Sequence, residues 1–177
     1  IGERPRAGLF LPEKKMKVLG VLLLALSLPA FAYDVNGVKL GAKEAEMRRV
    51  FPSAHCKELE WKSAAADRRC DDARAVLGGA PVRITAFLKG DAIQGFDLRF
   101  DTKELERVKA TLRSRWGAPL AEVTETIARR DGNDRKVFKM RWEKGADRAV
   151  LTAQMEKKRA GLEVSRGKFS DEIYRVR

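Results

Sequence analysis

The chain has 177 residues, with 37 Lys+Arg against 25 Asp+Glu and one His, for a formal net charge of +12. With 44% hydrophobic and 35% charged residues it has a globular composition, too apolar for a disordered chain. Two cysteines and one histidine exclude a disulfide-dense miniprotein and a Cys/His zinc cluster, while the basic balance points to an anionic partner or surface.

The N-terminus carries the first decisive pattern. Lys14, Lys15 and Lys17 surround Met16, an apolar run from Val18 to Leu28 follows, and Pro29-Ala30-Phe31-Ala32 ends it. A charged start, a short apolar stretch and an Ala-x-Ala end describe a secretory signal peptide over residues 16–32. The run is about half of the ~20 residues a membrane-spanning helix needs, which makes a retained anchor the weaker alternative. Residues 1–15 are irregular and precede this start, so they are expected to be an upstream extension with no part in the fold. Cleavage near Ala32 leaves Tyr33–Arg177, 145 residues with net charge +9, in the periplasm or outside the cell. No cysteine stands at the cleavage point to accept a lipid, and export removes nucleic acid as the expected partner.

From Tyr33 onward the elements follow in order. Tyr33 to Val38 reads as a short strand with an Asn36-Gly37 turn. Met47, Val50 and Phe51 fall at helical spacing, and Pro52 stops the run. Cys56 and Cys70 are the only cysteines; in an oxidising compartment they are expected to form a disulfide, since the Cys-x-x-Cys spacing of a redox pair is absent. Leu59 and Trp61 sit two apart, as in a strand, before a polar turn over 63–67. Gly78-Gly79 lacks the Gly-Lys-Ser/Thr of a phosphate loop and reads as a turn. Strict alternation marks strands through Val82, Ile84, Ala86 and Leu88, and through Phe96, Leu98 and Phe100.

Asp101 or Thr102 is placed to cap a second helix through Leu105, Val108, Leu112 and Trp116, which Gly117-Ala118-Pro119 ends. Phe138, Met140 and Trp142 alternate next, followed by Leu151, Ala153 and Met155, then Leu162 and Val164. The tail from Gly167 is expected to hold one helical turn with Ser170 as cap.

The order repeats itself. Ile84-Thr85-Ala86-Phe87-Leu88-Lys89 resembles Leu151-Thr152-Ala153-Gln154-Met155-Glu156, and residues 45–52 resemble 110–117. The expected architecture is therefore α+β: two tandem α-β-β-β units (33–101 with the disulfide, 102–177 with the tail), each an antiparallel sheet packed on its helix and able to join the other side by side. Val38-Lys39-Leu40-Gly41 leading into Glu44-Ala45-Glu46-Met47, with the exit Trp116-Gly117-Ala118-Pro119, resembles the repeats of the β-lactamase inhibitor protein and of the small BamE/SmpA outer-membrane lipoproteins. The resemblance implies a tandem helix-on-sheet fold whose members mainly bind proteins. This chain departs from the lipoproteins in lacking the lipid-acceptor cysteine, and its one cysteine pair lies in the first copy only.

Catalytic chemistry finds little support. His55 neighbours Cys56, but a disulfide removes the thiol, and adjacent residues of a strand point to opposite faces. One His and two paired Cys supply no metal ligand set. Glu58, Glu60, Asp67, Asp71, Asp72, Asp97 and Asp101 show no spacing that selects a facing acid–base pair, and no Gly-x-Ser-x-Gly elbow occurs. No catalytic residue, metal or cofactor is expected.

Surface recognition remains. Arg83, Phe87, Arg99, Lys139 and Arg141 all lie on the polar phase of their strands, and aromatic and Arg side chains are common interface anchors. Phe87 is either such an anchor or is covered by another segment, for which the N-terminal residues are the candidate; Trp61 is open in the same way. The basic residues Arg107, Lys109, Arg113 and Arg115 form a charged helix back that is either solvated or phosphate-binding. The expected activity is protein binding in the cell envelope. Electrostatic binding of an anionic envelope polymer such as lipopolysaccharide is the alternative, and an enzyme the third choice.

Overall fold

The computed structural model describes residues 2, 33–128, 132 and 134–175. The expected extension (apart from Gly2) and the leader lie outside the described residues. A short hairpin, β1 (Asp34–Val35) and β2 (Val38–Lys39), leads to α1 (Glu44–Val50). Four strands follow: β3 (His55–Glu58), β4 (Arg68–Leu77), β5 (Ala80–Lys89) and β6 (Ala92–Phe100). A 3-10 turn over Thr102–Glu104 opens α2 (Leu105–Trp116), with the Asp101 carboxylate accepting the Lys103 amide. Four more strands follow: β7 (Ala121–Ile127), β8 (Arg135–Lys144), β9 (Asp147–Gln154) and β10 (Arg159–Arg166), then the single turn α3 (Phe169–Glu172).

Eight of these strands form one sheet in the order β3-β4-β5-β6-β10-β9-β8-β7. Every ladder is antiparallel, and β6 pairs with β10 from Phe100↔Ala160 to Gly95↔Ser165. This corrects the expected α+β pair of helix-plus-three-strand units. The strands β3 and β7 complete four-stranded runs, the last strands of the two runs pair directly, and the product is one mainly β structure with few helices. Leu59 and Trp61 also leave the expected strand, for β3 ends at Glu58.

Alternation decides the two faces. The inner face carries Val82, Ile84, Ala86 and Leu88 of β5, Phe96 and Leu98 of β6, Leu162 and Val164 of β10, and Met140 and Trp142 of β8, all buried. Met47 of α1 and Leu105, Val108 and Leu112 of α2 close over it in the same core. Tyr33 joins from the N-terminal hairpin, its ring 5.0 Å from that of Trp116, which meets Trp142 edge-on at 5.6 Å. Gly78 and Gly79 form the two-residue turn between β4 and β5, both at positive φ (56° and 83°), as the hairpin turn that matches strand twist requires. The buried carboxylates are satisfied: Asp72 accepts from Ser53 Oγ and from the Arg74 amide across the β4 bulge, and Asp147 accepts from Arg166 Nε at 2.7 Å. Among the described residues no helix is long and apolar enough to cross a membrane.

Cys56 and Cys70 stand directly opposite in β3 and β4, their Cα atoms 3.9 Å apart, and are bonded as a disulfide. The bond closes a 14-residue separation, for which the chain-entropy argument gives about 3 kcal/mol of stabilisation. Thiol labelling of the untreated protein is expected to detect no reactive cysteine, and two labelled thiols would refute the bond. Reduction is expected to lower the unfolding free energy by about 3 kcal/mol, read from denaturant titration.

Candidate functional site

The face of the sheet turned away from the helices is polar, and the ladder register arranges it in rows that cross the strands. One row runs Arg83, Arg99, Gly161, Thr152, Lys139 from β5 to β8. The next row runs Asp71, Thr85, Asp97, Glu163, Val150, Arg141 from β4 to β8. A third runs Arg69, Phe87, Gly95, Ser165, Arg148. The five residues expected to form a binding face share this side of the sheet, but they do not share one site.

Phe87 is the main correction. It lies on the outer face, as its phase requires, yet it is only 4% exposed. The C-terminal turn folds over it: the Phe169 ring packs 5.5 Å away, and Ala66 and Ile173 complete a small second core beside Leu59, Trp61 and Ala65. The covering segment is C-terminal, and its α3 turn starts without a side-chain cap, because Ser170 Oγ hydrogen-bonds Glu163 and Ser165 instead. Gly95 makes this seat. A Cβ there would stand 2.5 Å from Phe169 Cε1. The tail is further tied by Trp61 Nε1 donating to the Ile173 carbonyl at 2.8 Å and Ser63 Oγ donating to that of Glu172 at 3.1 Å.

Lys139 and Arg141 are set apart as well. They stand on β8, three strands from β6, about 14 Å at ordinary strand spacing. Each has a carboxylate of its own, Glu125 at 2.7 Å for Lys139 and Glu143 at 3.5 Å for Arg141.

Arg83 and Arg99 do converge. They are direct cross-strand partners, exposed, on the floor of a 470 Å³ trough. Like charges directly opposite one another destabilise a sheet unless neutralised. Arg99 is held by Asp97, with Nη2 to Oδ2 at 2.9 Å, and this hydrogen bond, ahead of the carboxylate charge, raises its pKa above the ordinary guanidinium value. Arg83 has no carboxylate partner among the described residues.

Trp61 and Tyr174 wall one end of the trough, their rings stacked with centroids 6.0 Å apart, and Arg69 lies 6.0 Å over the Trp61 ring. Tyr174 keeps 61% of its surface exposed, while contact with the trough desolvates its phenol and, with the Asp97 charge, raises its pKa. Tyr174, Arg69 and Asp71 were missed in the sequence. The apolar i, i+4 spacing of Phe169 and Ile173 was the available signal that the tail docks.

The trough brings Arg, Trp and Tyr side chains together. The one group of metal-type ligands among the described residues, Glu44 with Cys56 and Cys70, has both sulfurs committed to the disulfide.

Two substitutions test the covered face. Phe87→Ala is expected to destabilise by about 3–5 kcal/mol, as for a buried aromatic rather than a surface anchor. Gly95→Ala is expected to cost about 1–3 kcal/mol by overpacking against Phe169 and to red-shift tryptophan emission as Trp61 loses its cover. Wild-type stability for either variant would show the tail is not seated there. No known protein family matches the chain, and no curated protein or solved structure matches it at a significant level.

Proposed function

We propose that the protein is an exported binding module that engages a protein partner of the cell envelope with the outer face of its sheet, without catalysis. The observation that carries this reading is the trough between the Trp61–Tyr174 wall and the Arg83–Arg99 pair. Trp, Tyr and Arg are the side chains that most often dominate protein interfaces, and here two arginines of the sheet stand beside Trp61 of the β3–β4 loop and Tyr174 of the docked tail. The leader over residues 16–32 supports export to the periplasm or beyond. Tyr33, the residue that cleavage near Ala32 would leave first, is 6% exposed and part of the core, so processing at that point leaves the fold intact. A second reading, binding of an anionic envelope polymer, draws on the net charge of +9 of residues 33–177 and on Arg83, which has no carboxylate partner among the described residues.

A photocrosslinking side chain placed at Tyr174 in intact cells is expected to capture a defined protein, and the same group at Lys103, beside the helix layer, is expected to capture none. Capture at both positions alike, or at neither, would sink the face assignment. Salt separates the two readings. A packed protein interface is expected to hold between about 50 and 150 mM salt, whereas binding through exposed Arg and Lys weakens steeply as the Debye length shortens.

A further inference from the structure

The charged rows on the outer face carry the proposed binding further, to the chemistry of what is bound. Arg83 and Arg99 are like charges in directly opposed positions, and Arg83 has no carboxylate partner among the described residues. Beyond Arg99 the same row continues with Gly161, whose missing side chain leaves the floor open toward Thr152 in an adjoining 250 Å³ cavity. On the other side, a 390 Å³ cavity is lined by Arg83, Arg99 and Lys158. Lys158 sits at positive φ (51°) in the turn before β10, and its ammonium has no carboxylate partner among the described residues. Asp101, the acid of that cavity, is engaged as the cap of the turn before α2.

We infer that Arg83 and Arg99, with Lys158 at the rim, form a carboxylate-binding notch that takes an Asp or Glu side chain from an extended segment of the partner protein. The inference rests on the outer face being the partner-binding face. A guanidinium presents donors in a fork that matches a carboxylate; Arg83 offers its fork, and Arg99, whose Nε and Nη2 donate to Asp97, adds its remaining donors. A bound carboxylate also removes the Arg83–Arg99 repulsion, so binding relieves a cost already present in the free sheet.

The neighbouring row decides the class of ligand. Asp71, Asp97 and Glu163 run parallel to the arginines, one register step away on the same face. A densely charged polymer lying on this face meets that acidic row as well as the basic one. A polypeptide with isolated carboxylates places its acids on the arginines and neutral donors, backbone or side chain, on the acids. The alternation of basic and acidic rows therefore favours a protein ligand with spaced acidic residues.

The test uses a fluorescently labelled peptide of alternating glutamate and serine, its glutamine counterpart, and lipopolysaccharide micelles, at low salt with the disulfide-intact protein. Fluorescence anisotropy is expected to show the glutamate peptide bound at least tenfold more tightly than the glutamine one, about the effect of losing one charged hydrogen-bonded pair. Arg83→Gln and Lys158→Gln are expected to reduce that preference, with Arg83→Gln abolishing it. Lys139→Gln, on the same face but already paired, is expected to leave it within about twofold, as for a surface charge with its own partner.

Arg83→Gln is also expected to melt at the wild-type temperature or above it, because its removal relieves the like-charge pair. Equal loss in Arg83→Gln and Lys139→Gln, absence of the glutamate preference in the wild type, or a lower melting temperature for Arg83→Gln would each overturn the notch. Displacement of the peptide by micelles through the same arginines would overturn its assignment to a protein ligand. The crosslink from Tyr174 is scored in parallel: a partner captured there by a protein without glutamate preference removes the notch and keeps the face, and loss of both removes both.

Discussion

The pairing of β6 with β10 is the constraint on which the rest of the structure depends. Each run of four strands is built from local hairpins, and each ends in a strand whose far edge is free until it meets the other. Six register partners, from Phe100↔Ala160 to Gly95↔Ser165, join those edges. The join makes the inner face continuous, so that α1 and α2 cover a single core holding residues of both runs. It also makes the outer face continuous, and only for that reason do Arg99 and Asp97 of β6 lie beside Gly161 and Glu163 of β10. The trough lies on β4, β5 and β6 of the first run, and the seam extends its floor past Arg99 to Gly161.

A sheet of this width has more surface than two short helices can cover, and the chain meets that imbalance with its own tail. Phe169 and Ile173 shield Phe87 and Ala66, so the outer face is divided between a dry half near Gly95 and a wet half near Arg83. The tail and the trough share residues, since Trp61 both donates to the Ile173 carbonyl and walls the trough. Under the proposed function, a ligand that moved Trp61 would therefore also act on the seating of the tail.

What was legible in the sequence follows from where periodicity is enforced. Strands with one buried face announce themselves, and β5, β6, β8, β9 and β10 do so through residues such as Ile84, Leu98, Met140, Leu151 and Leu162. The edge strand β7 gives no such signal: Val123 and Ile127 remain 45% and 46% exposed, and its Glu and Thr residues read equally well as a loop. The short β3 has one inward position, Cys56, too little to establish a period. Without these two strands each run reads as three strands rather than four, and the repeated order of helix and strands then reads as two units. The phase of Phe87 was readable and its burial was not, because cover by Phe169 is a contact across 82 positions that no local pattern encodes. The outward phase of Arg83 and Arg99 was readable too; their juxtaposition needed the register.

The disulfide has a consequence beyond the stability of a loop. It fastens the outermost strand of the sheet, a strand of only four residues, to a neighbour of ten. β3 pairs only with Arg68–Asp71, so if it were to peel away the open edge that the rest of β4 already presents would run the full length of the strand, with unpaired amides and carbonyls on which a second chain can add. The covalent bond to Cys70 keeps that edge short at the one end of the sheet where hydrogen bonds alone are fewest.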